Sequence, residues 1–219
     1  KVIAFHEAGH ALCAELLDSQ EKTHRISIIP RGKALGYTLH LPQEDRYLKT
    51  KEEMVDWMVV GLGGRVAEAI VFGEITTGAA NDLEKVYSVS RSMVTDYGMG
   101  TSITSRRVPV DDYSVSEASR RIVDEEQQEL TDQAYRRAQK MITEHRPLLD
   151  AFAHRLLTNE VMERDDIEEM VAAHHAGTLA VPPVAPPVPR GSRPVAVPEP
   201  GAPRIAASER LDPKGPSAP

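Results

Sequence analysis

The sequence predicts a mainly α-helical fold with one small β-hairpin or sheet, followed by a disordered, proline-rich tail. Three observations carry this expectation. Apolar residues recur at helical spacing through most of the first 175 residues, and alternation typical of a half-buried strand is confined to one short stretch near residue 40. Twelve of the 16 prolines lie at or after Pro182, and no Phe, Tyr or Trp follows Phe152. A segment of that composition cannot build a core. The chain is therefore divided into a folded domain at residues 1–175 and a tail at 176–219.

The first element is a helix over Val2 to Leu17, rich in Ala and Leu and free of Pro, with Gly9 its one poor helix former. Arg25–Pro30 and Gly36–Leu41 read as two short strands joined by a turn at Arg31-Gly32-Lys33, with Tyr37, Leu39 and Leu41 alternating against Thr38 and His40. Thr50-Lys51-Glu52-Glu53 has the form of a capping box and opens a helix running to Val71. Gly61, Gly63 and Gly64 within it would each weaken a helix by roughly 1 kcal/mol, which points to a closely approaching neighbour. Asn81 is the expected cap of the next helix, with Leu83, Val86, Ser90, Met93, Val94 and Tyr97 facing inward and Gly98 ending it. After a polar loop, a long charged helix from Ser114 to Thr143 carries a narrow stripe of Ala118, Ile122, Leu130, Ala134, Ala138 and Met141. Pro147 opens a further helix to Leu157, and a last one over Asp165–Ala173 carries Ile167, Met170 and Val171.

Composition excludes several function classes. Residues 1–175 hold 21 basic against 30 acidic side chains, so nucleic-acid binding through a general basic field is not expected. The single Cys13 rules out an internal disulfide framework and suits a reducing compartment. No apolar run is long enough to span a membrane. The first helix is expected to begin before Lys1, so the chain reads as the carboxyl-terminal piece of something larger.

Chemistry concentrates in His6-Glu7-Ala8-Gly9-His10, an H-E-x-x-H motif on that first helix. Helical residues four apart stand one above the other, so both imidazoles can reach one metal ion with Glu7 beside them. Catalytic zinc takes three protein ligands and leaves one position for water, whose proton a neighbouring carboxylate can accept. A third ligand is needed. Cys13 lies one turn beyond His10, but three ligands from one straight helix cannot surround an ion, so it reads as a core residue. His24 and His40 are expected at the solvent side of the hairpin, and His145, His154, His174 and His175 at surfaces or interfaces. Two carboxylates compete: Glu68, on a helix able to lie against the motif helix, and Asp82, where a loop becomes a helix and the macrodipole favours an anion. Physical reasoning leaves these two close.

The motif and the blocks Ile28-Ile29-Pro30-Arg31-Gly32, Ala34-Leu35-Gly36-Tyr37-Thr38, Leu62-Gly63-Gly64-Arg65, Phe72-Gly73-Glu74, Thr76-Thr77-Gly78-Ala79 and Asn81-Asp82-Leu83 resemble the peptidase domain of FtsH-type membrane-anchored AAA+ zinc proteases. The resemblance implies a zincin-like domain in which His6, His10 and Asp82 hold one Zn2+ per chain and Glu7 is the catalytic carboxylate. Glu68 then becomes a residue that orients a ligand from behind. It further implies an endopeptidase acting on unfolded polypeptide, an AAA+ ATPase module upstream or in trans, a homo-hexamer, and a soluble domain on the cytoplasmic face of a membrane. This chain contains no G-x-x-x-x-G-K-[ST] phosphate loop of its own. The hairpin edge from Arg25 through Ile26, Ser27 and Ile28 to Ile29 is the expected strand against which substrate pairs. The alternative reading is a non-catalytic helical module retained for ring assembly, with the long helix making subunit contacts.

Overall fold

The computed structural model describes residues 1–30, 36–40, 48–109 and 115–180. Among these the order is α1 (Val2–Leu16), β1 (Thr23–Ser27), β2 (Tyr37–His40), α2 (Lys51–Phe72), a short 3-10 turn (Thr77–Ala79), α3 (Ala80–Thr95), α4 (Glu117–Glu144), α5 (Arg146–Asn159), β3 (Val161–Glu163) and α6 (Arg164–His175). The Arg31-Gly32-Lys33 turn, Leu41 and residues 181–219 of the tail lie outside the described residues. No helix among the described residues is long and apolar enough to cross a membrane.

Helix α1 is buried on nearly every side, with Phe5, Ala8, Leu12 and Cys13 in the core. Its closest partner is α2. A Cβ built on Gly63 would lie 2.5 Å from the Gly9 carbonyl oxygen, and one on Gly9 would lie 2.8 Å from Ala67 Cβ. The two backbones therefore touch, which explains why α2 tolerates glycines that weaken it. Its start is fixed by the expected capping box: Glu53 N–H donates to Thr50 Oγ1 at 3.2 Å and Thr50 N–H to Glu53 Oε2 at 2.7 Å. Gly73 closes it in the left-handed conformation, φ 67°.

Several expectations are corrected. Asn81 does not cap α3; the preceding 3-10 turn starts the helix two residues earlier, with Ala79 at the cap position and Ala80 the first helical residue, and Asn81 falls within it. Leu83 and Tyr97 do not face inward, being 37% and 59% exposed, while Val86, Ser90, Met93 and Val94 do. The buried stripe of α4 runs through Val123, Leu130, Ala134, Ala138 and Ile142, so Ala118, Ile122 and Met141 sit beside or outside it. Polar residues hide this register, since Glu126 and Gln127 occupy buried positions on the same face.

The sheet has three strands in the order β2-β1-β3, all antiparallel. Strand β3 was not anticipated, because three residues are too few to display alternation. Its presence makes β1 central: Arg25 pairs with Leu39 on one side and Glu163 on the other, Ile26 with Thr38 and Met162, and Ser27 with Tyr37 and Val161. Ile28 N–H donates to Glu160 O at 3.0 Å. Arg25–Ile29 is therefore not a free edge. Among the described residues, the two edges of the sheet are β2 and β3.

Candidate metal centre

Three helices deliver the centre. His6 and His10 come from consecutive turns of α1, and Asp82 from the first turn of α3. His6 Nε2 and His10 Nε2 are 3.1 Å apart, and Asp82 Oδ2 lies 3.4 and 3.5 Å from them. Helix α2 supplies the back wall. His6 Nδ1 donates to Glu68 Oε1 at 2.8 Å, and His10 Nδ1 donates to the Val60 carbonyl at 2.8 Å. With both Nδ1 atoms engaged, each Nε2 faces Asp82 and is the ring nitrogen left to bind a metal once its proton is displaced. His6, His10 and Asp82 form the one group of three metal-binding side chains converging within 4.8 Å among the described residues.

The spacing suits zinc. Tetrahedral bonds of about 2.0–2.1 Å place neighbouring ligand atoms about 3.3–3.4 Å apart, close to all three observed separations. Gly64 keeps the cradle open, for a Cβ there would lie 2.5 Å from His10 Nε2 and 2.7 Å from His6 Nε2. Electrostatics agree. Burial works against a proton on His6, but its hydrogen bonds to the carboxylates of Asp82 and Glu68 outweigh it and raise its pKa to about 9 in the metal-free chain. Burial likewise opposes charge on Asp82, and the two imidazoles override it and hold that carboxyl well below its usual range. The centre attracts positive charge.

Glu68 is almost wholly buried and uses both oxygens: Oε1 on His6 and Oε2 on the Thr76 N–H at 2.9 Å. It lies behind His6, with no place in the Nε2–Nε2–Oδ2 triangle. Glu7 is buried on the sheet side of the centre, where Thr38 of β2 donates to its Oε2 at 2.8 Å. Gly36 approaches so closely that a Cβ there would lie 2.9 Å from Glu7 Oε1. Sequence reasoning missed Thr38, Gly36 and Gly64 as parts of the site. The glycine cluster signalled close packing on α2 without revealing what was packed, and nothing marked Thr38 out from its strand neighbours.

The remaining candidates lie elsewhere. Cys13 is fully buried at the α1–α2 crossing, and burial raises its thiol pKa to about 12. His24 is exposed as expected, whereas His40 is half-buried with an unpartnered Nδ1, and burial lowers its pKa. His145 Nδ1 and His174 Nε2 are 2.8 Å apart where α4, α5 and α6 meet.

Two imidazoles one turn apart, a carboxylate from another helix and a glutamate between the histidines define an H-E-x-x-H metallohydrolase. The sequence pattern of Peptidase family M41 matches residues 1–170, and the chain belongs to that family. It is a metalloprotease domain. It is 41% identical over 191 residues to the ATP-dependent zinc metalloprotease FtsH of Thermotoga maritima, covering 78% of this chain and 30% of that protein. The FtsH of Clostridium perfringens is 42% identical over 183 residues, with 78% and 25% covered. That of Bacillus subtilis is 36% identical over 183 residues, with 78% and 29% covered. The chain thus spans less than a third of the length of these relatives.

Proposed function

We propose that the chain is the zinc endopeptidase unit of an ATP-dependent protease, with one Zn2+ held by His6, His10 and Asp82. The observation that carries this reading is the triangle of two Nε2 atoms and one Oδ2 at tetrahedral spacing, with Glu7 alongside. Bound there, zinc would polarise the scissile carbonyl and acidify a water molecule. The chain's own residues do the rest. Thr38 fixes Oε2 of Glu7, leaving Oε1 to take the proton of the attacking water. As the peptide C–N bond breaks, Glu7 returns that proton to the departing amine nitrogen. Glu68 keeps the His6 ring oriented from behind.

Substrate lies along β2, whose outer side meets no strand among the described residues and whose Thr38 touches the catalytic carboxylate. Strand addition uses backbone hydrogen bonds, so it selects extended polypeptide with little regard to sequence. Unfolded chains fit this requirement, and an AAA+ module upstream or in trans would deliver them, as the names of the relatives suggest. A homo-hexameric ring on the cytoplasmic face of a membrane follows from the same FtsH-type resemblance. Elemental analysis and peptide cleavage test the core of the proposal together. Glu7→Gln should keep zinc near one per chain and lose turnover. Absence of transition metal after zinc addition, or near-normal turnover of that variant, refutes it.

A further inference from the structure

Helices α2, α3 and α4 enclose a groove of roughly 400 Å³ that plays no part in the metal centre. Leu62, Val86 and Leu83 make its apolar surface, with Tyr87 and Tyr135 beside them. Leu62 and Val86 are buried and form the floor, while Leu83 at 37% and Tyr87 at 52% exposure present its solvent-facing apolar surface. Asp124 and Asp132 line it from α4, and Arg65, Gln128 and the tyrosine hydroxyls add hydrogen-bond donors.

We infer that this groove receives the chain's own segment from Pro182 to Pro194, which lies outside the described residues. Six of its 13 residues are proline, and its only charges are Arg190 and Arg193. Proline lacks an N–H, so such a segment presents apolar rings and carbonyl acceptors but few donors. The groove is the chemical converse: tyrosine and aliphatic surface for the rings, Arg65 and Gln128 for the carbonyls, and two carboxylates for the two guanidiniums. Spacing agrees. Asp124 and Asp132 are about 12 Å apart along the helix at about 1.5 Å per residue, and Arg190 and Arg193 about 9 Å apart in an extended proline-rich strand.

Reach also suffices. Helix α6 ends beside the end of α4, where His174 meets His145. From His145 back to Asp132 is about 20 Å along α4, and to Asp124 about 32 Å. At about 3.1 Å per residue, the chain leaving Ala180 extends up to about 31 Å by Arg190 and about 40 Å by Arg193. Each arginine therefore reaches a carboxylate with about 10 Å to spare.

Trypsin tests the assignment on the whole chain. It cuts at Arg190–Gly191 and at Arg204–Ile205, and the second bond serves as an internal control. A short tether gives an effective concentration of about 1 mM, so even a contact with Kd of about 100 μM slows the first cut roughly tenfold. The ratio of the two initial rates should thus fall about tenfold below that in a synthetic peptide of residues 181–219. It should return to the peptide's value in Asp124→Asn/Asp132→Asn and in Tyr87→Ser, both altering solvent-facing groove residues. A ratio equal to the free peptide's in the unaltered chain overturns the inference and leaves the groove to another partner. Protection that survives both variants overturns it by placing the segment elsewhere. Protection that grows with protein concentration also overturns it, in favour of docking on a second copy.

Discussion

At the scale of single residues, the centre separates two carboxylates that physical reasoning on the sequence leaves close and that the family resemblance alone ranks. Asp82 stands with the two Nε2 atoms, while Glu68 holds the far side of His6. Asp82→Asn should abolish tight zinc binding, because a neutral amide is a poor ligand and no longer offsets the ion's charge. Glu68→Gln should weaken zinc binding or activity by roughly 10- to 100-fold with the ligands still assembled. Zinc dissociation measured for both variants checks the order, and the reverse order would exchange their roles. Gly64→Ala should also lose zinc while remaining folded, since its methyl fills the cradle; metal content and circular dichroism report the two parts separately.

The protonation of His6 gives a pH dependence with a definite sign. Its pKa in the metal-free chain is raised from 6.5 to about 9, so the folded state holds a proton that the unfolded state releases earlier. The stabilisation is complete below pH 6.5 and disappears as pH rises through about 9. Thermal melts of the metal-free chain should therefore fall in midpoint across that interval. In Asp82→Asn the decline should shrink, because one of the two carboxylates holding the proton is gone.

At the scale of elements, the crossing of α1 on α2 sets the geometry. Gly9→Ala or Gly63→Ala improves helix propensity by about 1 kcal/mol, yet pushes a methyl into the facing backbone. Backbone cannot rotate away as a side chain can, so steric cost wins. The expected destabilisation is about 1–3 kcal/mol, read from denaturant unfolding, with zinc affinity falling as the helices separate. The same crossing shows what sequence can reveal. Helices α1, α2 and α5 were legible because caps, prolines and apolar spacing agree there, and His6, Glu7 and His10 because their spacing is local. The three residues of β3 and the true register of α4 were not legible. Both depend on partners far along the chain: Met162 is buried because Ile26 lies opposite it, and Glu126 because it accepts the N–H groups of Thr101 and Ser102. Strand β1 is central and not an edge for the same reason.

At the scale of the whole molecule, the proposed centre ties together elements that lie far apart in sequence. Its proposed ligands come from α1 and α3, and their supports from α2 and β2. A ligand that binds only the folded state stabilises it by mass action. Chelation should accordingly lower the melting temperature, and stoichiometric zinc should restore it; an unchanged melt on metal removal would contradict the proposed ligand set.

Strand β1 gains its second neighbour only at Val161–Glu163, and Arg164 Nη1 reaches back to Glu15 Oε1 at 2.6 Å and to the Thr23 carbonyl at 2.9 Å. The proposed metal ligands are all synthesised by residue 82, yet the strand and guanidinium that enclose β1 emerge some eighty residues later. At about 5–20 residues per second, a ribosome takes roughly 4–16 seconds to make that difference. During this interval β1 has an unsatisfied edge, the kind of surface that recruits stray strands. The nascent chain thus carries its metal-binding histidines well before it carries a closed sheet, and its hazard during synthesis is mispairing at β1.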